Sequence, residues 1–278
     1  MKVSLVVSTY NWPQALDLAL AAIARQSRLP DEVIVADDGS AAPTRELIER
    51  VAMRFPVRLV HVWQEDIGFR LARVRNRAIA ASLGDYLIFL DGDMVIERNF
   101  VADHIAAARP RCFTQGQRTL AGETLSARML ATHQLDVHPF AADLTHRGGA
   151  WRLPLLRTTY RARNYGKKRV MGCNQGFWRE DLVAVNGFDE RMAGWGREDT
   201  ELAVRAYHAG LRRIQLYGTA VAVHLHHRQR GDSNAGTPND AYLAESEHLR
   251  RTRCDHGVAD HLADFAVAPT DLRATAGP

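Results

Sequence analysis

The N-terminal third of the chain alternates between short apolar runs and longer amphipathic stretches. The apolar runs are short, rich in Val, Ile and Leu, and typical of strands buried on both faces of a sheet: residues 2–8, 32–36, 57–62 and 86–90. The stretches between them repeat their apolar residues at helical spacing: residues 13–26, 43–54 and 69–82. This alternation predicts an α/β protein with a doubly wound, mostly parallel sheet, right-handed crossovers and flanking helices.

Beyond residue 93 the pattern is less regular. It predicts strands at residues 111–115, 172–178 and 221–227, and helices at residues 98–108, 179–185, 199–209 and 240–253. Residues 122–166 have mixed polarity, and we expect helix and loop there, forming an insertion or lid. Residues 231–240 are rich in turn formers, and the end beyond residue 266 is expected to be frayed.

Composition limits which cellular compartment we expect for this chain. The 278 residues are 46% hydrophobic and 24% charged, as in an ordinary globular protein. No stretch approaches the roughly 18 apolar residues of a membrane span, and the N-terminus is expected to be a strand, not a signal peptide. Cys112, Cys173 and Cys254 form no metal or disulfide pattern, which favours a reducing cytoplasm.

The net charge of +4 comes from Arg-rich clusters at residues 157–169 and 250–253. Such clusters suit anionic lipid, a phosphate-bearing substrate or nucleic acid, or they are simply solvated. The chain has no zinc finger, RNA-binding signature or basic run interleaved with aromatic residues, so nucleic acid is not an expected partner. Peripheral association with the inner face of the membrane stays open.

Two carboxylates, Asp91 and Asp93, directly follow the apolar run at residues 86–90. Ligands bind at the carboxyl ends of strands in open α/β sheets, and residues two apart on an extended chain face the same way. Two close carboxylates repel each other unless a cation lies between them, and oxygen ligands suit Mg²⁺ or Mn²⁺. The alternative is a plain Asp-Gly turn.

Further candidates lie at other strand ends. There is no G-x-G-x-x-G after the first strand; residues 8–11 and 37–40 end adjacent strands and could grip a base and ribose. On an extended strand, His224 and His226 share one face and His227 takes the other, and a neutral imidazole is a common metal ligand.

Trp195 comes shortly before a pair of carboxylates, Glu198 and Asp199. An aromatic side chain there could support a sugar ring, or could simply pack. The two carboxylates could equally complement a helix dipole.

Four segments resemble family 2 glycosyltransferases with the GT-A fold in order and spacing: residues 7–13 (VSTYNWP), 37–40 (DDGS), 73–77 (RVRNR) and 89–93 (FLDGD). Three later segments resemble the galactosyltransferase-type C-terminal segment of β1,4-galactosyltransferases and bacterial chondroitin-polymerase-like enzymes: residues 186–190 (NGFDE), 194–202 (GWGREDTEL) and 224–226 (HLH). The resemblance covers roughly residues 3–227, but residues 122–166 match no named motif.

The resemblance implies one Rossmann-like GT-A domain at residues 1–266. Its nucleotide-sugar-binding half would be residues 1–97, its metal and acceptor half residues 98–230, and its helical C-terminal region residues 231–266, followed by a tail at residues 267–278.

The resemblance also implies residue roles. On the donor side, Thr9, Tyr10 and one of Asp37 or Asp38 would hold uracil, Arg75 with Arg73 would approach the ribose or diphosphate, and Asp91 would face the ribose. Asp93 with His224 or His226 would bind Mn²⁺ or Mg²⁺. Trp195 and Glu198 would hold the acceptor, and Asp199 would be the general base.

The expected activity is inverting, metal-dependent transfer of a hexose or N-acetylhexosamine from a UDP-sugar to a glycan or glycolipid hydroxyl. Residues 175–179 (QGFWR) resemble the Q-x-x-R-W of processive synthases, but Trp precedes Arg here, so transfer is expected to be non-processive. One alternative is a haloacid-dehalogenase-like phosphatase, because residues 89–95 match D-x-D-x-[TV]. Another is a non-catalytic sugar-nucleotide or glycan-binding protein.

Overall fold

The computed structural model describes residues 1–168, 170–227 and 236–266. It confirms the predicted alternation at the N-terminus. The elements are β1 (Val3–Thr9), α1 (Pro13–Ala24), β2 (Glu32–Asp37), α2 (Ala42–Ala52), β3 (Arg58–Trp63), α3 (Leu71–Ala81) and β4 (Tyr86–Asp91). The side chains of β1 and β2 are buried along their whole length, because helices cover both faces of the sheet.

These four strands are parallel and neighbours in the order β3-β2-β1-β4. Their register matters for function. Thr9 pairs with Asp37, and Ser8 pairs with Asp91, so the ends of β1, β2 and β4 lie side by side. The predicted convergence of strand ends at one edge is therefore confirmed.

The C-terminal half completes the sheet and adds a second, smaller one. Its strands are β5 (Met94–Ile96), β6 (Cys112–Gln115), β7 (Thr119–Ala121), β8 (Leu144–Thr145), β9 (Ala162–Arg163), β10 (Asn174–Trp178), β11 (Arg212–Gln215) and β12 (Ala222–His224). Its helices are α4 (Phe100–Ala107), α5 (Glu123–Thr132), α6 (Arg179–Val185), α7 (Glu198–His208) and α8 (Asp240–His248).

Within the described residues the large sheet has the order β3-β2-β1-β4-β10-β6-β11-β9, and the small sheet has the order β5-β12-β7-β8. Strand β10 runs antiparallel between β4 and β6, so the sheet is mixed beyond β4. The α/β class with a mostly parallel central sheet and flanking helices is confirmed.

Several predictions for the second half were wrong in detail. Strands β5, β7, β8, β9 and β11 were not expected, because elements of two to four residues carry no periodicity. Strand β12 ends at His224 instead of residue 227, and α8 ends at His248 instead of residue 253. Residues 231–235 of the turn-rich stretch and all of residues 267–278 lie outside the described parts.

Residues 122–166 consist mainly of helix and loop, as expected. They contain α5, two 3₁₀ turns at Arg147–Ala150 and Pro154–Thr159, and the short strands β8 and β9. Across the described ranges, no helix combines the length and apolar character needed to cross a membrane.

Candidate active site

A cleft of about 690 Å³ opens at the carboxyl ends of β1, β2 and β4. Most of the predicted site residues line it: Thr9, Tyr10, Asp38, Arg75, Asp91, Asp93, Trp195, Glu198, Asp199 and His224. The structure does not bring Asp37, Arg73 or His226 into this lining.

Asp38 lies at the end of β2 and is buried. Its Oδ1 accepts a hydrogen bond from Gln64 Nε2 at 2.6 Å, and its Oδ2 accepts one from the backbone N–H of Arg70 at 2.8 Å. Burial raises the pKa of this carboxyl, and the two hydrogen bonds oppose that rise. Nearby, the Tyr10 hydroxyl donates to Asp66 at 3.0 Å, which fixes its ring at the mouth of the cleft.

Asp37 faces away from this site. Its Oδ1 accepts from the backbone N–H of Ser40 at 2.8 Å, and its Oδ2 lies 2.9 Å from His61 Nε2. The side chain is fully buried in these contacts. Of the two carboxylates considered for the nucleotide base, only Asp38 is therefore placed to reach a ligand.

Arg75 connects the two walls of the cleft. Its Nη2 donates to Asp91 Oδ1 at 2.8 Å, and its Nη1 lies 3.4 Å from Glu198 Oε1. Its Nε donates to Ser8 Oγ at 3.1 Å, and the guanidinium lies over the Phe188 ring at 5.3 Å. Arg75 is almost fully buried, so its charge is used within the protein.

Arg73 was expected beside Arg75 in the donor site, and that prediction was wrong. On an α-helix, residues two apart point about 200° away from each other, so both cannot face one cleft. Arg73 instead lines a separate cleft with Glu190, Arg191 and other charged residues of the C-terminal region.

Asp93 forms a compact cluster with two histidines. Its Oδ2 lies 3.4 Å from His224 Nε2 and 3.2 Å from His227 Nε2, and one ligand atom from each residue lies within 4.8 Å of the others. Burial opposes ionisation of Asp93, but hydrogen bonds from both imidazoles outweigh it and hold its pKa below the usual range.

The prediction that His226 shares a face with His224 was wrong. It assumed an extended strand through residue 227, whereas β12 ends at His224, with its last pairs to Met94 and Leu120. Beyond it, Leu225 is buried and His226 is exposed, with its backbone N–H donating to Ser126 Oγ at 2.7 Å. The turn brings His227 back to Asp93 instead.

The residues of this cluster fit a divalent cation. Asp93 Oδ1 is buried and has no hydrogen-bond partner among the described residues, which is costly for a carboxylate oxygen. One carboxylate and two neutral imidazoles form a donor set that suits Mn²⁺ and leaves room for substrate oxygens.

The opposite wall is the start of α7. The chain enters it through a turn with positive φ at Gly194, Gly196 and Arg197. Asp199 is fixed in orientation: Oδ2 accepts from the backbone N–H of Gly172 at 2.7 Å, and Oδ1 accepts from that of Thr200 at 2.6 Å. Trp195, 43% exposed, stands beside it on the cleft rim.

Glu198 is buried, and no residue in the described parts of the chain forms a hydrogen bond with its Oε2. Burial, reinforced by the neighbouring charge of Asp199, raises its pKa to about 7, against the opposing effect of Arg75. A carboxyl with such a pKa exchanges its proton near neutrality, which is the range useful for acid–base or hydrogen-bond switching.

Among the lining residues that the sequence did not mark as ligand-binding, His227 and Arg118 lie near the Asp91–Asp93 pair. His227 was assigned to the wrong face of a strand. Arg118 lies between β6 and β7, lines the cleft and acts electrostatically on Asp91, while making no hydrogen bond or ion pair to another described residue. No motif marks Arg118; its only signal is a cation just after a strand end.

Two family models match the chain. The one described as "Glycosyl transferase family 2" matches residues 4–184, and the one described as "N-terminal domain of galactosyltransferase" matches residues 156–228. The two matches overlap at residues 156–184. Asp91 and Asp93 fall in the first match and Glu198, Asp199, His224 and His227 in the second, so residues from both matches line the cleft.

Curated relatives of this chain agree with the two family models. Chondroitin synthase of Escherichia coli is 30% identical over 239 residues, covering 80% of this chain and 34% of that protein. Validoxylamine A glucosyltransferase of Streptomyces hygroscopicus subsp. limoneus is 30% identical over 227 residues, covering 75% of this chain and 48% of that protein. The chain thus spans between about a third and about half of the length of these relatives.

Solved structures share the GT-A fold. TarS 1–349 of S. aureus in complex with UDP-GlcNAc has a TM-score of 0.59 at 21% identity, covering 96% of this chain and 72% of that one. Mannosyltransferase PcManGT of Pyrobaculum calidifontis in complex with GDP-Man and Mn²⁺ has a TM-score of 0.54 at 20% identity, with coverages of 98% and 77%. Since the first family model covers well over half of the sequence, this chain belongs to glycosyl transferase family 2.

Proposed function

We propose that this chain is an inverting, divalent-metal-dependent and non-processive glycosyltransferase. It moves a hexose or N-acetylhexosamine from a UDP-sugar to a hydroxyl of a glycan or glycolipid. The observation that carries this proposal is the placement of two kinds of carboxylate site on opposite walls of one cleft: Asp93 with two imidazoles, and Asp199 beside an exposed tryptophan.

The donor would occupy the strand-end wall. Each Asp38 oxygen accepts one hydrogen bond and keeps a free lone pair, which can accept the N3–H of uracil. Thr9 and Tyr10 flank that position in the cleft. Asp91, held by Arg75, would accept hydrogen bonds from the ribose hydroxyls.

Asp93, His224 and His227 would hold the cation, which supplies positive charge against the leaving diphosphate. Arg118, on the same cleft, adds a cation that forms no ion pair with a described carboxylate. These groups favour the anionic end of the donor on this side. The reacting anomeric carbon would therefore face the opposite wall.

Asp199 would be the general base. Its Oδ2 accepts one backbone hydrogen bond, and one lone pair remains to take a proton. It lies in the first turn of α7, the end of the helix where the macrodipole is positive. The acceptor hydroxyl attacks the anomeric carbon as the bond to the UDP oxygen breaks; UDP leaves with the electron pair, and the proton goes to Asp199. Glu198 and Trp195 would hold the acceptor sugar.

The phosphatase alternative has weak support. The nucleophilic aspartate of such a phosphatase must be free to attack phosphorus, whereas Asp91 is bound to the buried guanidinium of Arg75. Such a phosphatase also needs a lysine near its nucleophile, and no lysine lines the described part of the cleft. The family match also favours a glycosyltransferase.

The test is a panel of UDP-sugars with Mn²⁺, first by thermal shift and then by UDP release. A ligand bound only by the folded state raises its melting temperature. We expect stabilisation by at least one UDP-sugar, and UDP release on adding a panel of hexose-, N-acetylhexosamine- and hexuronate-terminated aryl glycosides. Phosphate release from phosphomonoesters without any UDP-sugar response would refute the proposal.

A further inference from the structure

A surface patch formed mainly by residues 122–166, called here the inserted region, combines exposed apolar side chains with unpaired positive charge. The apolar members, called here the insertion patch, are Phe140, Trp151, Leu153, Leu155 and Tyr217, all of them exposed. The structure connects them. Phe140 and Trp151 pack edge to face at 5.3 Å, and the backbone N–H of Leu153 donates to the carbonyl of Gly218, next to Tyr217, at 2.6 Å.

None of these side chains lines the cleft described above, and each is at least 38% exposed. Leu155 is 84% exposed and lies on the 3₁₀ turn Pro154–Thr159. Single exposed apolar residues are common, but a contiguous group of this kind marks an interaction surface. Trp and Tyr with aliphatic residues are the set that partitions into the boundary between lipid headgroups and acyl chains.

The charge around the insertion patch is strongly positive. Residues 138–168 contain one acidic residue, Asp143, and many basic ones: Arg147, Arg152, Arg157, Arg161, Arg163, Lys167 and Lys168. Arg152 and Arg157 are paired with the buried Asp103, and Lys167 is paired with Glu247. Arg161 and Arg163 are exposed, and no described carboxylate pairs with either.

The second basic cluster of the chain provides a contrast. Arg251 is paired with Glu245 and Asp255, and Arg253 donates to backbone carbonyls of α6. The exposed apolar residue next to this cluster in sequence is Leu249. Among the described residues, the inserted region therefore combines the larger group of exposed apolar side chains with exposed arginines.

We propose that the insertion patch, with Arg161 and Arg163, docks this enzyme onto an anionic lipid membrane surface. Basic residues near such a surface each contribute about 1 kcal/mol of attraction, and apolar side chains inserted among the headgroups add to it. A soluble polyanion would use the arginines but would gain nothing from Leu153 and Leu155. The apolar side chains are the reason to prefer lipid.

The position of the patch suits the proposed function, on which this part of the inference rests. Gly149, in the turn Arg147–Ala150, packs closely beside a cleft residue. A Cβ added at Gly149 would lie 3.0 Å from Thr119 Oγ1 and 3.5 Å from the carbonyl oxygen of Arg118, which lines the cleft. At the other end, the inserted region leads into Val170 and Met171, which also line the cleft. A membrane at the patch would present a lipid-linked acceptor near the reaction site.

The test is vesicle sedimentation of the full chain, with no nucleotide sugar present. We expect binding to phosphatidylcholine vesicles that contain phosphatidylglycerol, and little binding to phosphatidylcholine alone. Leu155→Gln should weaken binding about tenfold or more, and Arg161→Gln with Arg163→Gln about thirtyfold. Matched controls are Leu249→Gln and the pair Arg45→Gln with Arg50→Gln, exposed residues far from the patch in sequence, which should bind as the unaltered chain does.

Three outcomes would overturn the proposal: no difference between the two vesicle types, an unaltered affinity in Leu155→Gln, or binding to dextran sulfate that depends on Arg161 and Arg163 while vesicles are not bound. Calorimetry of UDP with each variant separates this from the proposed function. Both patch variants should bind UDP normally whether or not they bind vesicles.

Discussion

Asp91 and Glu198 approach the same guanidinium from opposite walls of the cleft, Asp91 at 2.8 Å from Arg75 Nη2 and Glu198 at 3.4 Å from Nη1. Asp91 ends a strand that the first family model covers, and Glu198 starts a helix that the second one covers. A single buried cation thus ties the proposed donor site to the proposed acceptor site. Disturbing it should affect both.

Replacing Arg75 with Lys keeps the charge but removes the forked geometry that serves both carboxylates. We expect the free energy of unfolding to fall by about 1.5–3 kcal/mol, and the affinity for UDP with Mn²⁺ to fall about tenfold or more, because Asp91 loses its partner. Urea denaturation and calorimetry measure these effects. Arg73→Lys is the matched control on the same helix; an equal loss of UDP affinity there would contradict the assignment.

The two neighbouring histidines separate the observed site from the one expected from the sequence. His227→Ala should weaken Mn²⁺ binding by at least the roughly 10–100-fold seen when groups that only support metal ligands are removed. His226→Ala should leave it unchanged, because that side chain is exposed and outside the cluster. Mn²⁺ titration followed by electron paramagnetic resonance needs no turnover. The reverse ranking would show that His226, and not His227, binds the cation with Asp93.

Glu198 should make acceptor binding depend on pH near neutrality. Its pKa is raised to about 7, so it is mostly protonated at pH 6 and mostly ionised at pH 8. Ionisation places a second negative charge beside Asp199 and removes a hydrogen-bond donor from the acceptor site. The KM for acceptor should therefore rise between pH 6 and pH 8. Glu198→Gln, which mimics the protonated form, should show a flat profile; an unchanged inflection would exclude Glu198 as its source.

The same group should also affect folding stability. Because the folded state holds the Glu198 proton up to about pH 7 and an unfolded chain releases it near its ordinary pKa of 4.5, unfolding becomes relatively easier as pH rises between these values. Glu198→Gln has no ionisable group at this position, so it lacks this pH-dependent contribution to the free energy of unfolding. Its stability relative to the unaltered chain should thus increase from pH 5 to pH 8 in urea denaturation, and a constant difference would argue against the raised pKa.

Much of the fold was predictable, because the early elements have strong local signals. Strands β1, β2 and β4 are continuous apolar runs, and the carboxylates after β4 had to lie at a strand end. The position of Arg73 was also predictable in principle. Helical geometry alone separates Arg73 from Arg75. The resemblance of residues 73–77 to the family motif instead placed both arginines in the donor site.

Other features depend on tertiary contacts that leave no local pattern. Strand β5 is three residues long, and its pairing with β12 decides where β12 ends. That end determines whether His226 or His227 reaches Asp93. Arg118 enters the cleft because β7 joins the small sheet, which no spacing of residues around it indicates.

Asp199→Asn tests the proposed base. Losing a general base typically costs about 10²–10⁴-fold in rate, so kcat should fall by that amount. Binding of UDP and Mn²⁺ should stay normal, because those ligands are assigned to the opposite wall. Calorimetry and UDP release give both readouts. A nearly normal kcat, or a loss of UDP binding of similar size, would assign Asp199 another role.

In the proposed reaction, the acceptor hydroxyl on one wall of the cleft attacks the donor sugar on the opposite wall. This single displacement inverts the anomeric centre. The most direct measurement is the anomeric proton coupling, by nuclear magnetic resonance, of the product formed from an α-linked UDP-sugar of gluco or galacto configuration. We expect the large coupling of a β-glycoside. The small coupling of an α-glycoside would contradict this mechanism.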